Sequence, residues 1–166
     1  WSPDSRRIIT AFDPAEPRVW DAATGEEVLS LHGSERRWVS VVSWSPDGSR
    51  IITDDISGTT AHIWDAATGE ELLSLRGHNQ WACALAWSPD SSRVATGPHD
   101  DTVRVWDAAT GQTQLVLGAG NSVETVSWSP DGTKLSIGAK IGGNRLWDAT
   151  TGDPRLTVDN GARELS

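Results

Sequence analysis

The tetrapeptide Trp-Ser-Pro-Asp occurs four times, beginning at Trp1, Trp44, Trp87 and Trp128. A second block, Trp-Asp-Ala-(Ala/Thr)-Thr-Gly, runs in step with it from Trp20, Trp64, Trp106 and Trp147. A fixed period near 40 residues means one supersecondary unit copied along the chain, and that unit constrains the fold more than any bulk property. We divide the 166 residues into a partial first copy (1–31), a second (32–75), a third (76–117) and a fourth (118–158). Residues 159–166 match the start of a further copy.

The third copy shows how the unit folds. Trp81-Ala-Cys-Ala-Leu-Ala-Trp87 reads as a buried strand. Ser88-Pro-Asp-Ser91 has the chemistry of a type I turn. Arg93 to Thr96 is the next strand, and Thr102-Val-Arg-Val-Trp106 alternates with period two as a third. Asp107-Ala-Ala-Thr-Gly111 closes a hairpin onto a fourth strand, Gln112 to Leu117. Each copy therefore predicts a four-stranded antiparallel meander, except the first, which retains only Trp1 of its opening strand. So short a sheet cannot hide two apolar faces alone. Neighbouring copies must pack face to face, and radial packing of twisted sheets gives a propeller.

The set Gly77-His78, Trp87-Ser-Pro-Asp, Asp100 and Thr102-Val-Arg-Val-Trp106-Asp107 resembles the WD40-repeat β-propeller signature, and the resemblance covers essentially the whole chain. It implies an all-β fold, a β-propeller built from four-stranded antiparallel blades. Four repeats would be part of a seven- or eight-bladed ring, or a four-blade unit that oligomerises. The resemblance also implies a buried hydrogen-bond network that ties a blade together, falling on His78, Thr96, Asp100 and Trp106. A Thr-His-Asp set looks like a hydrolase triad as well. Recurrence as blade cement, and a Thr within a sheet, favour the structural role. The other copies depart from the pattern. Ser34-Glu35 replaces Gly-His in the second copy, Gly118-Ala119 replaces it in the fourth, and Pro14 stands at the Asp position of the first.

Partner-binding positions in the family lie at the start of the first strand and beside the turn between the second and third. Carried over by spacing, these are Trp38, Ser40, Trp81, Cys83, Ser122 and Glu124 on first strands, with Asp13, Ser57, His99 and Lys140 on the turns. Trp38 and Trp81 are the only Trp residues outside the two repeated motifs, and exposed Trp is an effective interface anchor. Each also has a plain reading as a residue packed against its own loop. His32 and His62 read as solvated or turn residues.

Composition narrows the function. With 14 Lys+Arg against 23 Asp+Glu the net charge is −9, and no basic stripe exists to hold nucleic acid. No apolar run reaches the ~18 residues a membrane span needs. Cys83 is the single cysteine, so no intramolecular disulfide can form, and a cytoplasmic, reducing setting is expected. No His/Cys/Asp/Glu spacing predicts a metal site, no cofactor motif is present, and neither a phosphate-binding Gly-rich loop nor a kinase motif occurs. The expected function is a scaffold or recruitment module that binds a protein or peptide, with basic character favoured by the acidic balance. It would belong to a larger multidomain signalling or regulatory polypeptide. The alternative is a propeller-scaffold hydrolase or lyase with a channel active site, for which the residues supply no second polar constellation. The tail Asn160 to Ser166 aligns with Gln80 to Ala86. Either the chain is an excerpt from a longer array, or the tail closes a ring within one chain or between two; in both cases the isolated chain is expected to self-associate.

Overall fold

In the computed structural model, residues 1–12, 15–31, 39, 41–55, 59–80, 82–120, 122–140 and 143–158 are described. They form only strands and turns. The first sheet holds β1 (Arg7–Phe12), β2 (Ala15–Asp21) and β3 (Glu27–Ser30). The second holds β4 (Val42–Trp44), β5 (Arg50–Thr53), β6 (Thr60–Asp65) and β7 (Glu71–Arg76). The third holds β8 (Ala82–Trp87), β9 (Arg93–Pro98), β10 (Thr102–Asp107) and β11 (Thr113–Gly118). The fourth holds β12 (Val123–Trp128), β13 (Lys134–Ala139), β14 (Asn144–Asp148) and β15 (Pro154–Val158). All pairs are antiparallel and sequential, so each sheet is a meander.

The repeated motifs are the joints. In every Trp-Ser-Pro-Asp turn the Ser hydroxyl donates to the Asp two residues on, at 2.6 to 2.7 Å (Ser2, Ser45, Ser88, Ser129). The next residue takes positive φ: Gly48 and Gly132, but also Ser5 and Ser91, both at 59°. Side chains rarely adopt that region, so two of the four copies hold a strained Ser where Gly is preferred. In the second motif, Asp21, Asp65, Asp107 and Asp148 each accept two backbone N–H groups through Oδ1, which fixes the hairpin turn.

Period-two alternation assigns opposite faces of each sheet to opposite neighbours. Ile9, Val19, Leu29 and Leu31 of the first sheet pack on Trp44, Ile51, Trp64 and Ala66 of the second. Ile52, Ala61, Ile63 and Leu75 then pack on Trp87, Val94, Trp106 and Ala108 of the third. The third and fourth sheets repeat the junction through Ala95, Val103, Val105 and Leu117 against Val126, Leu135, Ile137 and Ala149. Full burial of one such Leu or Ile stabilises by roughly 1.5–3 kcal/mol, so the junctions carry the core. The sheets approach most closely along their first strands, β4 beside β8 and β8 beside β12. Gly97 lets β12 come close to β9 as well, since a Cβ there would stand 2.5 Å from Val123 Cγ1.

Candidate binding rim and the blade networks

Antiparallel pairing puts the start of each first strand beside the end of the second, as in Val123 opposite Ala139. Among the described residues, the third and fourth sheets therefore carry both kinds of candidate position at the same end, the candidate binding rim. The opposite rim carries the Trp-Ser-Pro-Asp and Trp-Asp-Ala turns.

At the binding rim, three candidates converge where the third and fourth sheets meet. His99 is exposed in the β9–β10 turn, and its Nδ1 is hydrogen-bonded to the hydroxyl of half-buried Ser122. The Ser122 carbonyl in turn accepts the backbone N–H of exposed Lys140 at 2.9 Å. Glu124 lies two residues further along β12 and is exposed. The adjoining loops bring the His99 imidazole onto the Ser122 hydroxyl and bond Lys140 through its backbone, with exposed Glu124 on β12. Trp38, Ser40, Trp81, Asp13 and Ser57 lie outside the described residues. Cys83 is placed within β8 by its backbone, and its side chain is likewise outside them.

His78, Thr96, Asp100 and Trp106 form one chain of hydrogen bonds beneath this rim. The Trp106 indole N–H donates to Thr96 Oγ1 at 2.8 Å. Thr96 Oγ1 is 2.6 Å from His78 Nε2, and His78 Nδ1 is 3.2 Å from Asp100 Oδ2. Because the carboxylate only accepts, Nδ1 carries the proton and Thr96 O–H donates to Nε2. Burial holds the His78 pKa below its ordinary value against the opposing pull of Asp100. Burial pushes Asp100 upward, but hydrogen bonds from Thr102, the Asn79 N–H and His78 outweigh it and leave the carboxyl below its usual range. The hydroxyl is fully buried and already accepts an indole N–H, so it faces no space in which a substrate carbonyl could sit. Among the described residues, no group of three or more His, Cys, Asp and Glu could hold a metal ion, and no helix is long and apolar enough to cross a membrane.

The other sheets keep fragments of this network. Trp20 donates to Thr10 at 2.8 Å and Trp64 to Thr53 at 3.0 Å. In the fourth sheet Ile137 occupies the Thr position, and the buried Trp147 Nε1 has no hydrogen-bond partner among the described residues. His62 corrects the sequence reading, which had it solvated or in a turn. It is 1% exposed on β6, with Nδ1 2.8 Å from Glu71 Oε1 on β7. It sits where the first, third and fourth sheets carry Arg18, Arg104 and Arg145, and a carboxylate across the strand pair lets a polar ring replace a guanidinium there.

On the opposite rim stands a feature the sequence reading missed. Arg50 lies over the Trp87 ring at 5.1 Å, and its guanidinium donates to the carbonyls of Ala108 at 2.6 Å and Ser91 at 2.7 Å. Arg93 repeats this over Trp128 at 4.6 Å, donating to Ala149 at 2.7 Å and Gly132 at 2.8 Å. Arg7 reaches Ala66 at 3.1 Å beside a cavity of about 430 Å³ lined by Trp44 and Gly48. Arg50 and Arg93 open the second strands of their sheets and Arg7 opens β1, and each latches the next sheet. The signal was available: a cation recurs six residues after the motif Trp, as Arg7, Arg50, Arg93 and Lys134.

Four meandering sheets packed face to face in chain order are the blades of propeller-type repeat proteins. Residues 25–65 and 69–107 match the family described as WD domain, G-beta repeat. The chain thus has the β-sheet repeat architecture of the WD40 family. Comparison with curated proteins returns no match.

Proposed function

We propose that the chain is a binding module which recruits a protein or peptide to the binding rim, as a recruitment unit of a larger regulatory polypeptide. The observation that carries this reading is the convergence of His99, Ser122 and Lys140, with exposed Glu124 alongside, on loops held by two packed sheets. WD40-type repeats generally serve protein–protein interaction, which supports the same reading. Rigid elements that present adaptable polar side chains suit recognition, because little ordering entropy is lost on binding. The net charge of −9 favours basic segments, chiefly through faster encounter. Trp38 and Trp81 remain proposed anchors. We further propose that the 166-residue chain self-associates through its outer sheets.

The test is a random peptide library selected on the wild-type chain and counter-screened on a variant carrying His99→Ala, Glu124→Lys and Lys140→Glu. All three residues are exposed, so the variant should fold. Selected peptides enriched in Lys and Arg that lose at least tenfold in affinity for the variant would support the rim. Peptides that bind both proteins equally would refute it.

A further inference from the structure

Each sheet ends on its outer strand, β3, β7, β11 or β15, whose far edge pairs with no other strand among the described residues. Such an edge invites further pairing, and charges or proline usually guard it. Three of the four are guarded. β3 opens on Glu27, β7 runs from Glu71 to Arg76, and β15 begins Pro154-Arg155. β11 is the exception: no charged residue or proline occurs from Gln112 to Gly120. Its middle holds Val116, 55% exposed, where the other three sheets carry Ser30, Ser74 and Thr157.

The pairing register says which backbone groups point away from the sheet. Ala119 N–H donates to the Asp101 carbonyl, and Thr102 to Val105 then stand opposite Gly118 to Leu115. Hydrogen-bonded and non-bonded pairs alternate in an antiparallel ladder. Leu117 and Leu115 therefore bond to β10, and Val116 and Gly118 turn their N–H and C=O groups outward. The Gly118 carbonyl meets Arg145 Nη1 at 3.5 Å. Val116 presents both a donor and an acceptor to an added strand. Arg104 stands opposite it on β10, but that guanidinium lies over the Trp106 ring at 5.9 Å and against Gly77 of the preceding sheet. Its charge is held in the junction between sheets and does not guard the edge.

We infer that the outer edge of β11 takes an extended segment of a partner protein as a fifth strand of the third sheet, a segment with an uncharged β-branched centre and a Lys or Arg at each end. The ends of β11 carry the complementary charges. At one end the Asp107 carboxylate accepts Gln114 Nε2 at 3.3 Å. At the other stands exposed Asp101, tied to Ala119 through its carbonyl. Strand rise puts the two roughly 20 Å apart, about the length of a short added strand. A second copy does not fit. Pairing β11 with itself, in either sense, sets carboxylates of one chain against those of the other, and like charges directly opposed destabilise a strand pair. Backbone hydrogen bonds supply the affinity of an added strand, and Val116 and the end charges supply its selectivity. One strand buries less than a standard interface, so the binding is weak and reversible.

The experiment is fluorescence anisotropy of a capped, labelled peptide, Lys-Thr-Val-Thr-Val-Thr-Lys, titrated with the 166-residue chain. Expected are saturable binding and at least tenfold weakening by Val116→Lys. Val116→Pro should weaken it as much, because it removes an outward N–H and leaves the β10 ladder intact. Replacing both peptide lysines by glutamate should abolish binding. Circular dichroism checks the fold, and Val116→Lys alters only an exposed side chain. No binding at about 1 mM peptide would overturn the inference. So would affinities indifferent to Val116→Lys and to the peptide's end charges. Association of the chain with itself that disappears in Val116→Lys would put a second copy on the edge and equally overturn it. The triple rim variant should bind this peptide within about twofold of wild type. A loss confined to that variant would move the peptide to the rim, so the two proposals fail separately.

Discussion

The guanidinium of Arg93 lies 4.6 Å from the ring centroid of Trp128, one sheet further along the chain. Its two nitrogens are spent on the carbonyls of Ala149 and Gly132 in that same sheet. One side chain thus ties together both turns of its neighbour. The packed apolar faces supply most of the free energy of the junction, but they would tolerate small rotations. Three directional contacts from one planar group would not.

Arg93→Ala is therefore expected to cost about 2 kcal/mol, the loss of a cation–π contact and two charge-assisted hydrogen bonds at a partly buried site. Arg93→Lys should cost about 1 kcal/mol, because the charge stays while the fork is lost. Urea denaturation of both variants measures this. A cost below ~0.3 kcal/mol for Arg93→Ala would mean that water satisfies the two carbonyls equally well.

A second expectation concerns the orphaned indole of the fourth sheet. In the other three sheets the motif Trp donates to a Thr on the preceding strand, at Thr10, Thr53 and Thr96. Ile137→Thr places a hydroxyl at the equivalent point beside Trp147 Nε1. Losing part of a buried Ile costs about 1–2 kcal/mol, but satisfying a buried donor recovers about 1–3 kcal/mol. The variant should lie within about 1 kcal/mol of wild type. Ile51→Thr, at a fully buried position whose face is apolar, should cost about 2–3 kcal/mol. In a Trp147→Phe background the tolerance of Ile137→Thr should vanish. Equal costs at both isoleucines would show that the indole is not the reason.

These contrasts mark what was legible in the residues. Trp, Pro, Asp and Gly at fixed spacing announced the meander, because turn chemistry and period-two alternation are local properties. The grouping of His78, Thr96, Asp100 and Trp106 was reached only through the resemblance, since the four come from different strands and loops. The latch needed more. The Arg50 guanidinium donates to Ser91 and Ala108, which lie 41 and 58 residues away. A recurring cation on a strand looks like solvated surface until the neighbouring sheet is in place. His62 failed for a related reason. A lone His on an alternating strand reads as the wet face, and only the carboxylate of Glu71 on the paired strand makes its burial tolerable.

The last expectation is a pH dependence centred on His78. Its pKa in the folded chain is lowered, first by burial. The unfolded chain therefore binds the proton first as pH falls below the ordinary value of about 6.5. Stability rises with pH wherever the unfolded state holds more protons, so acidification from pH 7 toward 5 must weaken the fold through this residue. Asp100 does not oppose this. Its lowered pKa stabilises above the ordinary carboxylate range and is lost only at more acidic pH, outside that window. His78→Gln removes the titrating group. At pH 7 it should be less stable by about 2 kcal/mol, the loss of two buried hydrogen bonds. Because the variant lacks this proton uptake, the difference from wild type should shrink steadily between pH 7 and pH 5. Urea midpoints of both proteins across that range measure it, and the other histidines cancel in the difference. A gap constant with pH would mean that His78 titrates alike in the folded and unfolded chain, and the buried hydrogen-bonded chain from Trp106 to Asp100 would have to be redrawn.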